Sequence, residues 1–248
     1  MLFIKEIPKK SMEMKILTKI NKLDKEKLFL PIKKKEVSGN NIKIYWKKIP
    51  NTIQKKKENE IWKKIYEKDV FEQISKSLFF LHSLGFIHLD VHFDNILCSS
   101  KHKYYLIDFS ISEPVHNIKN KLYLEWKEDH FQLLWNLVFH RNHYINDFSN
   151  LRKNIQKTSQ KNKNLLKKEL KLCLPKKFVD EKLSLLLSKD KISIKKKIDQ
   201  IQFKMFLQRL YLLYYIFIEK KDNFYQDLFH SINWIRPPFP SKTQFQSR

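Results

Sequence analysis

Glycine is nearly absent from this chain of 248 residues, which contains only Gly39 and Gly85. An average protein has about 7% glycine, so a fold that needs many tight glycine turns is not expected. Cysteine is equally scarce, and Cys98 and Cys173 have no paired spacing. We therefore predict neither a disulfide framework nor a cysteine zinc site, and expect an intracellular, reducing compartment such as the cytoplasm or nucleus.

A long apolar run is also missing. The most apolar segment, residues 205–218, is interrupted by Gln208 and Arg209 and is too short to span a bilayer. The first residues lack a charged region followed by an apolar stretch, so no signal peptide is expected. The composition of 42% hydrophobic and 14% aromatic residues is still sufficient for a large core. We expect a folded protein without a membrane span, and the sequence leaves its oligomeric state open.

Acidic residues are outnumbered almost two to one, with 26 Asp and Glu against 50 Lys and Arg, for a net charge of +24. This charge has two interpretations: attraction to acidic proteins and other polyanions, or a compositional bias toward Lys, Ile, Asn and Phe. The lysines are dispersed along the whole chain, which favours the bias. Non-specific affinity for polyanions at low salt is expected in either case.

The apolar patterns predict an α+β fold, with a small β region followed by a mainly helical body. Residues 2–7, 28–32 and 42–46 have strand character, and Ser11 is a candidate N-cap of a helix that carries Glu13. A polar, lysine-rich stretch near residues 47–60 indicates a boundary. The predicted regions are a short N-terminal lobe of strands plus one helix (1–47), a helical lobe (48–236) and an extended tail (237–248).

The chemically informative residues are concentrated in residues 88–95, His-Leu-Asp-Val-His-Phe-Asp-Asn. Asp90 precedes Asn95 by five positions, and Asp108 follows the next apolar strand pattern. Phosphoryl transfer from Mg-ATP uses this spacing, because one carboxylate must receive a hydroxyl proton and two hard oxygen ligands must fix Mg²⁺. Asp90, Asn95 and Asp108 are therefore the candidate residues for this chemistry.

These segments resemble a known family. Residues 86–97, with the helix before them, resemble the catalytic loop of protein kinases, and residues 104–110 resemble their metal-binding segment. The loop pattern HxDxHxxN is similar to that of haspin-like kinases and of aminoglycoside and choline phosphotransferases. The resemblance implies a bilobal protein kinase-like fold with a reduced N-terminal β lobe and a mainly helical C-terminal lobe. It also implies ATP and Mg²⁺ as cofactors and transfer to a serine or threonine of a protein substrate. The basic composition suggests that this substrate is acidic.

The resemblance implies the roles of the site residues. Asp90 would be the catalytic base, and Asn95 and Asp108 would hold Mg²⁺ on the phosphates. Lys5 would contact the α- and β-phosphates, and Glu13 would be its ion-pair partner on the following helix. His92 lies where many protein kinases have a lysine near the γ-phosphate, and a neutral imidazole would bring less charge. Asp129 would cap the backbone of the catalytic loop, and His88 would brace it near Asp108.

Other residues have simpler interpretations. His82 and His130 are predicted to be ordinary helix-surface residues. The apolar run around them predicts a core made of Leu133, Leu134, Trp135 and Leu137.

The chain departs from the family pattern in three ways. No glycine-rich phosphate loop precedes Lys5, so weaker nucleotide binding is expected. Ser110 replaces the glycine after Asp108-Phe109, and a serine at φ > 0 would be strained. The interval from Asp108 to Asp129 is short, so regulation by activation-loop phosphorylation is not predicted.

Three alternatives remain. The protein is either a protein kinase, a small-molecule kinase of the aminoglycoside and choline type, or a non-catalytic pseudokinase scaffold. A zinc site formed by His88 and His92 is a further interpretation, but no third Cys or His ligand is near in the sequence.

Overall fold

The computed structural model describes residues 2–49, 51–53, 64–114, 127–139, 148–174, 176–187 and 197–234. The chain forms two compact units, residues 1–137 and residues 138–235. The lobe boundary expected near residue 47 falls within the first unit and stays a prediction. The lysine-rich stretch at residues 55–60 and the tail from residue 237 lie outside the described residues.

The first unit begins with a three-stranded antiparallel sheet of order β1–β3–β2 and one helix. These elements are β1 (Leu2–Pro8), α1 (Met12–Leu23), β2 (Ile32–Ser38) and β3 (Asn41–Lys47). Helix α1 begins where the sequence predicts, because Ser11 Oγ accepts a hydrogen bond from Met14 N at 3.1 Å. Its buried face includes Ile16, Leu17 and Ile20, which fixes the direction in which Glu13 points.

The strand predicted at residues 28–32 is wrong, since β2 begins only at Ile32. The carboxylate of Asp24 accepts hydrogen bonds from the backbone N–H groups of Leu28 and Phe29, at 2.9 and 2.8 Å. These bonds satisfy backbone groups that would otherwise pair in a sheet, so residues 28–31 stay irregular and outside the sheet. The apolar pattern has another cause: Phe29 is buried in the core.

The remaining elements of the first unit surround the predicted catalytic loop. They are β4 (Asn51–Thr52), α2 (Lys64–Ser83), β5 (Phe86–Ile87), β6 (Ile96–Cys98), β7 (Tyr104–Leu106), β8 (Glu113–Pro114) and the start of α3 (Glu128–Phe139). Strands β4, β6 and β7 form one antiparallel sheet, and β5 pairs with β8. Helix α2 stops at Gly85, which has φ +86° and donates its N–H to the His82 carbonyl oxygen at 2.9 Å.

The second unit is helical in its described residues. Its elements are α4 (Phe148–Lys157), α5 (Gln160–Cys173), α6 (Lys176–Leu187), α7 (Lys197–Leu213), a π-helical segment (Tyr214–Glu219) and α8 (Asn223–Trp234). Inside it, the buried Arg209 guanidinium donates to the Cys173 carbonyl oxygen at 3.0 Å. None of the helices in the described ranges is long and apolar enough to cross a membrane. The protein is therefore α+β with mostly helical content, as the sequence predicts.

Candidate active site

The hairpin of β6 and β7 joins the two halves of the predicted site. Ile96 pairs with Leu106, and one step further the Ile107 N–H donates to the Asn95 carbonyl oxygen at 2.9 Å. The residue that follows this bonded pair is Asp108. Two segments separated by a turn in sequence are thus held side by side by the ladder of an antiparallel pair.

Asp90 and Asn95 are in direct contact within the catalytic loop. Asn95 Nδ2 donates to Asp90 Oδ2 at 2.9 Å and to the Asp90 carbonyl oxygen at 3.0 Å. Because this amide nitrogen is engaged with Asp90, Oδ1 is the remaining polar atom, and no described residue donates a hydrogen bond to it. The loop therefore leaves an amide oxygen available beside a carboxylate.

His88 braces the loop from below. Its Nδ1 accepts the Asp90 N–H at 3.2 Å, so Nε2 carries the proton of the neutral ring and donates to the Ile107 carbonyl oxygen at 3.0 Å. Complete burial lowers the pKa of His88, and this outweighs the opposite effect of nearby carboxylates. Both ring nitrogens are engaged with protein atoms, which argues against His88 as a zinc ligand.

Asp129 caps the loop backbone, as the resemblance implies. Its Oδ2 accepts the His88 N–H and its Oδ1 accepts the Leu89 N–H, both at 2.8 Å. Burial alone would raise the pKa of Asp129, but hydrogen bonds from the His82 side chain and the His88 backbone lower it below the ordinary value. The capped segment includes Leu89 at φ +68°, a conformation that costs a leucine energy and needs such support.

The prediction that His82 and His130 lie on the helix surface is wrong. Both are completely buried, and His82 Nε2 lies 2.8 Å from Asp129 Oδ2. The two imidazole rings are 5.5 Å apart between centroids. Trp135 is only half-buried, whereas its apolar neighbours Leu133, Leu134 and Leu137 are in the core as predicted.

Lys5 joins the N-terminal sheet to the segment that carries Asp108. Its Nζ lies 2.7 Å from Glu13 Oε1 and 3.0 Å from Asp108 Oδ1. Partial burial lowers the pKa of Lys5, but hydrogen bonds to Glu13 and Asp108 raise it by more, so the lysine stays charged. Asp108 shows the converse. Burial raises its pKa, but Lys5 and Ser110 lower it by more, so the pKa of Asp108 lies below its ordinary value. The expected Lys5–Glu13 ion pair is thus present, while phosphate binding by Lys5 stays a prediction.

The backbone at Asp108 differs from the sequence-based expectation. The left-handed conformation falls on Asp108, with φ +63°, and not on Ser110. Aspartate tolerates this region better than most residues. Ser110 does not have a positive φ, so the replacement of glycine at this position causes no backbone strain. Between them, Phe109 is buried against the His88 ring at 5.2 Å and the Phe29 ring at 5.7 Å.

His92 lies between two carboxylates. Its Nε2 is 3.4 Å from Asp90 Oδ2, and its Nδ1 is 3.8 Å from Asp94 Oδ2. The side chain is therefore adjacent to the predicted catalytic carboxylate. These contacts do not test the predicted role of His92 near the γ-phosphate, which stays a prediction.

A cavity of about 270 Å³ opens beside Lys5, Glu13 and Asp108. Ordinary small-molecule sites have volumes of roughly 300–1,000 Å³, so this cavity is at the lower limit. Its remaining walls are apolar and include Phe3, Trp46, Leu17, Leu97 and Leu106. Charge at one end and apolar walls at the other suit a ligand with an anionic group and a planar apolar group.

The oxygen atoms at this site suit Mg²⁺. Asp108 Oδ1 is engaged with Lys5 and Ser110, whereas Oδ2 receives no hydrogen bond from any residue in the described ranges. Asn95 Oδ1 is in the same situation, and amide and carboxylate oxygens are the ligands Mg²⁺ prefers. These two residues therefore fit the metal, and Lys5 fits the phosphates.

Comparison with known proteins agrees with this geometry. Residues 31–130 match the family model described as protein kinase domain. The matched region includes the whole catalytic loop and Asp108, whereas Lys5 and Glu13 precede it. No curated protein matches the chain. The match covers less than half of the chain, and together with the loop and its Asp129 cap it supports a protein kinase-like domain at residues 31–130.

Proposed function

We propose that this protein transfers the γ-phosphoryl group of Mg-ATP to a serine or threonine hydroxyl of a protein substrate. The observation that carries the proposal is the position of Lys5, with its Nζ within 3.0 Å of both the Glu13 and the Asp108 carboxylates. A buried glutamate aims the lysine, and the second carboxylate brings it to the metal-binding segment. A two-lobed arrangement of the family type belongs to the same proposal.

When bound, Mg-ATP supplies the phosphoryl group, and the ion neutralises phosphate charge. Asn95 and Asp108 would hold the ion through oxygen atoms, and Lys5 would hold the phosphates. Asp90 Oδ1 receives no hydrogen bond from the described part of the chain, so it is the oxygen that can accept the proton of a substrate hydroxyl. The bond from Asn95 to Oδ2 fixes the orientation of that carboxylate, and positioning of this kind is a large part of phosphotransfer catalysis.

The charge of the chain supports an acidic protein as substrate. A net charge of +24 attracts acidic surfaces and accelerates their encounter. A reducing intracellular compartment is part of the same proposal and rests on cysteine usage alone.

One observation favours a small-molecule acceptor instead. His92 lies 3.4 Å from the catalytic carboxylate, at the position where the loop resembles those of the aminoglycoside and choline phosphotransferases. A panel of hydroxyl-bearing metabolites, assayed for ADP production, distinguishes the two acceptor classes.

The direct test is transfer of radiolabelled γ-phosphate to casein, an acidic protein rich in serine, by the wild type and by Asp90→Asn. The proposal expects label on serine or threonine with the wild type and a loss of at least about 100-fold with Asp90→Asn, since general-base catalysis contributes about 10²–10⁴. The control is Asp227→Asn, which changes an exposed carboxylate on α8 and should leave transfer intact. Equal transfer by the wild type and Asp90→Asn would contradict the proposal.

A non-catalytic scaffold is the remaining alternative. It predicts no transfer to any acceptor and no stabilisation by Mg-ATP, because a ligand that does not bind cannot raise the unfolding temperature. Stabilisation by Mg-ATP without transfer to either acceptor class would indicate a nucleotide-binding scaffold.

A further inference from the structure

A second and larger groove, of about 620 Å³, lies beside α1 and is separate from the nucleotide cavity. Lys15 and Lys19, about one helical turn apart on α1, line one wall of the groove. They lie on a different face of the helix from Glu13. The other wall is formed by the start of β5 and by Pro114 of β8. None of the residues that bear the proposed chemistry lines this groove, so its occupancy does not depend on phosphoryl transfer.

The rim of the groove is basic. Lys9, Lys15 and Lys19 line it and are exposed, and no acidic residue is among its described lining residues. Lys19 is held in place, since its Nζ lies 3.4 Å from the Leu84 carbonyl oxygen and 4.8 Å from the centre of the Phe86 ring. One positive charge is therefore pre-positioned, which lowers the entropic cost of binding an anion.

The floor of the groove is apolar. Met12, Phe86 and Pro114 line it together with the aliphatic parts of the lysines. Methionine adapts its shape to different apolar side chains, which is why it is common at peptide-binding surfaces. A concave apolar floor below a basic rim matches a peptide that alternates carboxylates with apolar side chains.

We propose that this groove docks an acidic peptide segment of a protein partner, with the carboxylates on Lys9, Lys15 and Lys19 and an apolar side chain on the floor. Nucleic acid fits less well, because its phosphate backbone makes no use of an apolar floor. The chain segment that follows Pro114, residues 115–126, has two lysines and one glutamate, so its charge does not complement the rim.

The test uses a fluorescein-labelled peptide of eight glutamates, two leucines and two phenylalanines, with binding followed by fluorescence anisotropy at physiological salt. We expect saturable binding to the full chain, and at least about tenfold weaker binding by Lys9→Glu/Lys15→Glu, in which attraction becomes repulsion. The matched control is Lys22→Glu/Lys25→Glu, which makes the same change of charge at exposed positions outside the groove. This control should bind within about twofold of the wild type.

Three results would overturn the proposal. Equal losses in the two double variants would show that net charge and not the groove attracts the peptide. Equal binding of a peptide with serine in place of leucine and phenylalanine would show that the apolar floor is not used. Tighter binding of a single-stranded oligonucleotide of equal charge, with displacement of the peptide, would identify a general polyanion surface. Circular dichroism of each variant verifies that it is folded, and these exposed positions allow the substitutions.

Discussion

Replacing Asp129 with alanine should destabilise the first unit strongly, because one buried carboxylate accepts three hydrogen bonds. The donors are the His82 ring N–H and the backbone N–H groups of His88 and Leu89, each at 2.8 Å. Alanine would leave all three without an acceptor. His82 and His88 are completely buried, so water cannot replace the carboxylate there without a rearrangement.

The size of the effect follows from the number of donors. A buried donor left without a partner costs about 1–3 kcal/mol, so the two fully buried donors alone give about 2–6 kcal/mol, and the half-buried Leu89 N–H adds less than either of them. Contributions within one hydrogen-bond network are not additive, so the measured loss should lie below the sum of the three donors. A typical domain has only about 5–15 kcal/mol of stability, so the loss would be a large part of the total.

The substitution should also abolish phosphoryl transfer. Leu89 holds φ +68°, which costs roughly 1–3 kcal/mol and persists only while the surroundings enforce it. Without the cap at its N–H, Leu89 should relax and displace the adjacent Asp90. The milder Asp129→Asn keeps one acceptor oxygen and should retain the fold while losing most activity.

The assay is urea unfolding followed by tryptophan fluorescence and circular dichroism, with Asp227→Ala as control. Asp227 is exposed on α8, and its removal should change stability by less than about 0.5 kcal/mol. A loss below about 1 kcal/mol for Asp129→Ala, or one equal to that of the control, would refute the reasoning.

Three further predictions concern the site. Lys5→Met should remove the stabilisation by Mg-ATP in thermal unfolding, whereas Lys35→Met, at an exposed position on β2, should keep it; equal stabilisation would exclude Lys5 as a phosphate ligand. The folded pKa of Asp129 is depressed, so its stabilisation is present above the unfolded pKa of about 3.9 and is lost as pH falls through the folded value. The difference in unfolding free energy between wild type and Asp129→Asn should therefore be constant from about pH 5 to 7 and shrink below about pH 4, and an unchanged difference at about pH 3 would contradict this. Asn95→Ala should raise the Mg²⁺ concentration for half-maximal transfer by about tenfold, equivalent to ~1.4 kcal/mol of metal binding, and an unchanged Mg²⁺ dependence would remove Asn95 from the metal site.

The grouping of Asp90, Asn95 and Asp108 could be expected from the sequence, because their spacing resembles that of a known family's loop. The structure brings Asp90 and Asn95 into contact and places Asp108 next to the paired strands, whereas the roles of the three residues in catalysis and metal binding stay predictions. The N-cap at Ser11 was also predictable, because capping depends on local backbone groups.

The buried histidines were missed although a signal was present. His82 follows Leu78 by four positions and Ile74 by eight, which places it on the apolar face of α2. His130 precedes Leu133, Leu134 and Leu137 at helical spacing, which places it on the buried face of α3 in the same way. Histidine as a residue type favours the surface, whereas the helical periodicity favours the core. The structure agrees with the periodicity.

Other features depend on tertiary structure and had no sequence signal. The irregular segment at residues 28–31 is held by the Asp24 carboxylate, and its apolar residues resemble a strand pattern when that carboxylate's role is not recognised. The left-handed conformation of Asp108 depends on its contacts with Lys5 and Ser110. The basic groove exists only because α1 lies beside β5, which no local pattern specifies.

The most direct test of the central claim, that Lys5, Asn95 and Asp108 form one Mg-nucleotide site, is the unfolding temperature with and without Mg-ATP for the wild type and Asp108→Asn. Nucleotide at about 100 times its dissociation constant stabilises a protein by roughly 2.7 kcal/mol, which is several degrees for a domain of this size. The account predicts this rise for the wild type and its loss in Asp108→Asn. No rise for the wild type at millimolar Mg-ATP, or the same rise in both proteins, would contradict it.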